Sequence, residues 1–114
     1  MKKSRRNAEE QNLYIMQNGK NKEYKIGITG DLTQRRAELQ TGCPYELRII
    51  KVWTHYDRKK IQHYETTIHR FYKHQKLRKD GEWFKLTDIQ LEELCKPNSI
   101  EEQDALIASY EDLI

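Results

Sequence analysis

The stretch YKIGITGDLTQRR, residues 24–36, decides how this chain is built. Its first half is a β-type run that closes on a glycine and a threonine. Its second half opens a helix, with Asp31 as N-cap, Gln34 three positions on as a capping-box partner, and two adjacent arginines. An arginine held just beyond a strand end can meet whatever lies across the sheet. Upstream, NLYIM (12–16) is a second β-prone run, and the intervening QNGKN carries an Asn-Gly turn signal, so residues 12–29 are expected to form a hairpin. Downstream, the helix runs to about Gln40 and stops at Gly42, before Cys43 and Pro44.

ELRIIKVWTHY (46–56) is rich in Ile, Val, Trp and Tyr and is expected to be a third strand. From Arg58 to Leu77 the period changes: Ile61, Tyr64, Ile68, Phe71 and Tyr72 mark one face of a long helix. EWFKL is expected to be a short strand or extended piece, and DIQLEEL a turn or two of helix. Ser99 and Glu102 then open an acidic C-terminal helix with Ile100, Leu106, Ile107, Tyr110 and Leu113 as its apolar positions. The expected fold is α+β, a three-stranded antiparallel sheet in the order β-β-α-β-α flanked by helices, with an extra helix at the C-terminus. Residues 1–11 are expected to be a basic arm, 12–95 the domain proper and 96–114 the acidic helix.

Of the 114 residues, 34% are charged and the mean hydropathy is −1.04, which permits one domain with a small core and a very polar surface. There is no apolar run long enough to span a bilayer and no signal-peptide pattern, so a cytoplasmic setting is expected and a membrane partner is not. Cys43 and Cys95 have no zinc-type spacing and fit reduced thiols. The net charge of +3 hides an asymmetry. Residues 1–80 hold 19 Lys and Arg against 9 Asp and Glu, whereas residues 81–114 hold 2 against 9. A basic body with interleaved tyrosines suits a polyanion, although a solvated charged face has the same composition.

One carboxylate breaks the pattern. With Ile61 at zero on a helical wheel, Glu65 falls at about +40°, next to Tyr72 at about +20° and on the same stripe as Ile68 at about −20°. A carboxylate on an apolar stripe is paired, protonated or holding a cation, because an unpaired buried charge costs several kcal/mol. On the wheel for residues 31–40, Arg35 and Arg36 flank the Leu32 and Leu39 stripe on opposite sides, and periodicity does not choose between them.

Tyr14 in LYI, then Lys25, Ile26 and Gly27, then an arginine eight positions after that glycine, together resemble a GIY-YIG nuclease domain. YKIGIT, RRAELQTGCP, ETTIHRFY and GEWFKL, in that order, resemble more narrowly its short bacteriophage and bacterial T5orf-type group. The likeness covers roughly residues 12–87 and its spacing selects Arg35. It implies metal-dependent hydrolysis of phosphodiester bonds in nucleic acid, DNA in the first instance. Glu65 would hold Mg²⁺ or Mn²⁺, Arg35 would steady charge on the phosphorus oxygens, and Tyr14 would sit beside the attacking water.

Lys25 stands where the wider family has its second tyrosine, and Asn-Leu-Tyr replaces Gly-Ile-Tyr. Lysine can donate to a phosphate or, when desolvated, take a proton. His69, one helical turn after Glu65, is either a further catalytic candidate or a packed helix histidine, and Glu82 in the GEWF block is a second carboxylate for the site. His55, His63 and His74 are expected on the surface. Arg36, Lys73, Lys76, Arg78 and Lys79 are candidates for contacts to the phosphate backbone. No separate DNA-binding domain is evident, so specificity would be low or would come from a homodimer or a protein partner. The rivals are a non-catalytic nucleic-acid-binding module and a regulatory protein that binds through its acidic helix. If the basic body contacts phosphates, affinity for duplex DNA should fall with salt at a log-log slope of about −0.9 per phosphate neutralised. A flat profile in a binding titration across salt would assign the basic residues to ordinary solvated surface.

Overall fold

The computed structural model describes residues 10–79 and 81–114, so the expected basic arm lies outside the described residues save for Glu10 and Gln11. Strands β1 (Gln11–Asn18) and β2 (Glu23–Thr29) form the hairpin, turning at Gly19, whose φ of 63° is the left-handed conformation that the Asn-Gly pair anticipates. Helix α1 (Leu32–Thr41) follows, with the Asp31 carboxylate accepting from the Gln34 amide and Gly42 as C-cap. Then come β3 (Leu47–His55), α2 (Arg58–Phe71), β4 (Trp83–Lys85), α3 (Asp88–Cys95) and α4 (Ile100–Leu113). The fold is α+β, but the sheet has four antiparallel strands in the order β3-β1-β2-β4, one more than the sequence led us to expect. GEWFKL supplies the fourth. Three of its residues pair with Glu23, Tyr24 and Lys25, covering the outer edge of the hairpin.

The same pairing shortens α2. The helix was expected to reach Leu77 but ends at Phe71, followed by a single 3₁₀ turn at Lys73–Gln75. The Leu77 amide donates to the Trp83 carbonyl and Lys76 bridges Phe84, so the backbone here bonds to β4 and is lost to the helix.

β1 is a central strand buried on both faces, which is why LYIM runs apolar without alternation. Leu13 and Ile15 join Tyr24 and Ile26 in the main core, where Ile61, Tyr64 and Ile68 of α2, Leu94 of α3, and Ile107 and Tyr110 of α4 meet them. Tyr14 and Met16 face the other way, into a smaller cluster with Leu47, Val52 and Trp83 that Leu32 and Leu39 of α1 cover. Between Ile15 and Met16 the register of β1 with β3 slips by one, Ile50 being the extra residue. That bulge puts Leu47 and Val52, which differ in parity, on the same face.

α4 is part of the main core. Phe71 stacks on Tyr110 with ring centroids 3.9 Å apart, and the Tyr72 and Tyr110 hydroxyls lie at 2.6 Å. The Trp53 indole donates to the Pro97 carbonyl at 3.0 Å, and the Tyr64 hydroxyl bonds Asp104. His55, expected on the surface, is buried beneath this helix with its Nε2 2.8 Å from Gln103 Oε1; a buried histidine at a strand end is tolerated because the helix brings it a polar partner. His63 and His74 are exposed as expected. Ile100 and Leu113 are exposed, whereas the polar Gln103 is buried, so the buried face of α4 is centred on Gln103, Ile107 and Tyr110. Tyr110→Ala should therefore cost about 3–5 kcal/mol of stability, and Leu113→Ala less than about 0.5 kcal/mol. Urea denaturation of the two variants checks the ranking; equal costs would mean that α4 is only loosely attached.

Candidate active site

The site starts from a register pair. Tyr14 on β1 lies directly opposite Gly27 on β2, and the tyrosine ring lies across the glycine. A Cβ at position 27 would meet the Tyr14 hydroxyl oxygen at 2.8 Å, closer than carbon and oxygen tolerate, so the glycine is needed for the ring to lie there. Lys25, two residues before Gly27, projects from the same face of the strand. Tyr14 is buried, which pushes its hydroxyl above the ordinary phenol value. The guanidinium of Arg35, which faces it from α1, pulls the other way without overcoming burial. Tyr14 is thus a neutral phenol at neutral pH, suited to hold a water by a hydrogen bond.

The two arginines of α1 part company. Arg35 faces Tyr14 and pairs with Glu38 at 3.5 Å. Arg36 turns to the opposite side, where its Nε–H donates to the Leu47 carbonyl at 2.9 Å. With the Gln40 side chain, which accepts from the Leu47 amide and donates to the Tyr45 carbonyl, it ties α1 to the start of β3. Such tethers matter because α1 has no fully buried residue of its own.

Lys25 is buried, and its ammonium lies 2.8 Å from Glu82 Oε1 and 6.0 Å from the centroid of the Trp83 ring. Glu82 stands just before β4, and its carbonyl accepts from the Ile26 amide at 3.1 Å, so the backbone of the GEWF block is pinned beside the site. Glu65 comes from α2. Burial raises its carboxyl to about 7, with the Glu82 carboxylate adding to the rise and Lys25 opposing it. Among the described residues no hydrogen bond or ion pair engages the Glu65 carboxylate. One turn on, His69 Nε2 lies 2.8 Å from the Ile26 carbonyl, and its ring meets Phe84 edge-on. A carbonyl only accepts, so Nε2 carries the proton, and burial lowers the pKa of the ring, keeping it neutral at pH 7 with its lone pair on Nδ1.

Tyr14, Lys25, Arg35, Glu65 and His69 thus occupy one neighbourhood although they come from four elements, and Glu82 is the charge that the Tyr14, Glu65 and His69 side chains all sense. A groove of about 830 Å³ opens beside them, lined by Lys25, Arg35, Arg78, Glu82 and Trp83 among others. Of the other basic candidates, Arg78 lines this groove, Lys76 lies 5.9 Å from the Phe84 ring centroid, and Lys73 and Lys79 are exposed. Arg36 is not part of the cluster. The sequence reading left out two contributions: the groove-lining face of Trp83, which was expected to be core, and the ion pair that joins Glu82 to Lys25. Their shared position in the GEWF block was the available signal.

Among the described residues no group of three or more His, Cys, Asp or Glu is gathered to hold a metal, and no helix is long and apolar enough to cross a membrane. The chemistry on offer is that of three cationic or neutral donors, Arg35, Lys25 and Tyr14, facing two carboxylates. The profile of the T5orf172 domain matches residues 11–99, and the chain belongs to that family. Comparisons with curated proteins and with solved structures gave no match.

The raised carboxyl of Glu65 makes stability depend on pH. Its ordinary value is 4.5 and its value in the fold is about 7. Between the two, the native protein keeps a proton that the unfolded chain has lost. The resulting stabilisation is complete below about pH 4.5 and disappears as pH rises through about 7. Glu65→Gln cannot ionise, so it should gain on the wild type between pH 5 and pH 8, read as the difference in urea midpoints. A constant difference would mean that Glu65 ionises in the fold as it does in water.

Proposed function

We propose that this chain is a metal-dependent nuclease of the GIY-YIG type that hydrolyses phosphodiester bonds in nucleic acid, DNA before RNA. The observation that carries the proposal is that Lys25 and Arg35 line one groove, with Tyr14 bonded to Arg35 and the carboxylate of Glu65, which has no hydrogen-bond or ion-pair partner among the described residues, close enough to sense Lys25 and Glu82. Membership in a phage-associated domain family related to nuclease-like folds supports it.

In-line displacement at phosphorus asks for neutralised charge and correct positioning more than for covalent help. Arg35 offers a planar, permanently charged fork to the non-bridging oxygens, and Lys25 a point charge from the strand beside it. Tyr14 orients the attacking water with its neutral hydroxyl. His69 holds the open edge of β2 through Ile26 and presents Nδ1 as an acceptor.

Glu65 is a hard oxygen donor of the kind that fits Mg²⁺ or Mn²⁺ with waters and substrate oxygens completing the shell. Bound there, the divalent ion would supply charge neutralisation at the phosphorus oxygens and a more acidic water. Glu65 must be ionised to serve, so below about pH 7 it gives up a proton when the ion binds. The basic face would follow the phosphate backbone, with sequence preference left to a second copy or a protein partner.

Incubation of the purified protein with DNA and RNA, in Mg²⁺, Mn²⁺ or EDTA, tests this directly. Cleavage should need the ion, and Glu65→Gln should abolish it while leaving the fold and nucleic-acid binding in place. Arg35→Ala should lower the rate by on the order of 10²-fold, the usual effect of losing a preorganised donor. Arg36→Ala should act mainly on stability, through the lost tie to Leu47. Binding without cleavage under every condition would leave a non-catalytic module of the same fold, and full activity in EDTA or in the Gln variant would remove the metal from the mechanism.

A further inference from the structure

The Lys25–Glu82 pair is unequal in a way that bears on how substrate enters. The Lys25 side chain is 7% exposed and its partner 43% exposed. A lysine enclosed to that degree has nowhere to go, and it needs an anion beside it, because a buried ammonium without one is costly. The half-solvated carboxylate loses little by turning into water, since exposed ion pairs are weak. Its backbone stays fixed by the bond to Ile26 when the side chain leaves. The same groove carries Arg35 and Arg78, so the place beside Lys25 that the carboxylate fills is surrounded by donors suited to an anion with more oxygens.

We propose that Glu82 is an internal stand-in for the substrate phosphate: it neutralises Lys25 in the free protein and is displaced when a phosphodiester oxygen takes its place. This deepens the nuclease reading and rests on it. Glu82 then acts as a positioning residue and a selectivity element. It keeps Lys25 paired and aimed at the groove, and it admits only anions able to compete with a carboxylate already in place. Entry of a phosphodiester exchanges one anion for another, so Lys25 is never left unpaired.

The two possible roles of the pair predict opposite signs. If the pair only pins β4 to β2, removing it loosens the site and weakens binding. If Glu82 occupies the phosphate position, removing its charge strengthens binding. Fluorescence anisotropy of a labelled DNA duplex in EDTA, at low salt, should show Glu82→Gln binding about five- to tenfold tighter than wild type. Glu23→Gln is the control, because Glu23 lines the same groove but bonds Asn18; its effect should stay within about twofold. In a Lys25→Met background the gain from Glu82→Gln should shrink to the size of that control, which isolates the pairwise coupling. Should Glu82→Gln fail to fold by circular dichroism, Glu82→Asp, which keeps the charge but shortens the reach, should still bind more tightly than wild type.

Weaker or unchanged binding by a folded Glu82 variant overturns the proposal while leaving the nuclease reading intact. A gain no larger than that of Glu23→Gln, or one that persists in full without Lys25, overturns it as well. No binding of the duplex by the wild type overturns both.

Discussion

The constraint on which the site depends is the meeting of Tyr14 and Gly27 across the hairpin. β1 is enclosed on both faces, so a residue as large as tyrosine at position 14 has little choice of direction, and its ring goes over the one position of β2 that has no Cβ. Three consequences follow from that one contact. The hydroxyl reaches Arg35, the register of the hairpin is fixed by a steric fit as well as by its turn, and Lys25 is left on the same face one pleat away. A one-residue slip would send Tyr14 into the main core and bring Leu13 over the glycine. The arrangement is therefore bound to the pairing of β1 with β2 and less to α1, which is held largely by its polar ties to β3.

Electrostatics adds a second layer. A site that handles a phosphodiester needs cations, and cations in a partly buried groove need compensation when no substrate is there. Glu82 gives it to Lys25, and Glu38 gives it to Arg35. Glu65 has no hydrogen-bond or ion-pair partner among the described residues; burial, with the second carboxylate Glu82 adding to it, raises its pKa more than Lys25 lowers it. Conflicts of this kind are costly to the fold and are characteristic of functional positions.

Signals confined to a short window were readable in the sequence. The Asn-Gly turn, the Asp31 and Ser99 caps, the stop at Gly42 and the helical stripe that exposed Glu65 all rest on local rules, and each is present in the fold. What the sequence did not disclose depends on partners far along the chain. The fourth strand is three residues long and exists because β2 offers an edge. α2 stops early because Lys76 and Leu77 find partners on β4. The buried face of α4 includes a glutamine because His55 waits beneath it. Within the site, the helical wheel could not separate Arg35 from Arg36, since α1 has too little apolar surface to define an inward face, and the Leu47 carbonyl and Tyr14 hydroxyl, each distant in sequence, orient the two side chains. Lys25 and Glu82 lie 57 residues apart, beyond any local pattern.

The remaining question is how a helix packed on one face of the sheet can serve a tyrosine that points to the other. The answer lies in where β4 stops. Its ladder with β2 ends at the Lys25–Trp83 pair, and the bond from the Ile26 amide to the Glu82 carbonyl is the last that this strand provides. From there the edge of β2 is no longer covered by a strand. His69 takes over the Ile26 carbonyl, so the edge is closed by a side chain where a neighbouring strand would have closed it with backbone. Glu65, one turn earlier on the same helix, is thereby brought near enough to this edge to sense Lys25 and Glu82. The shortness of the fourth strand and the missing Cβ at position 27 act together: one leaves the Ile26 carbonyl at the sheet edge to His69, the other leaves room on the sheet surface for the Tyr14 ring, and the Tyr14 hydroxyl senses the Glu65 charge.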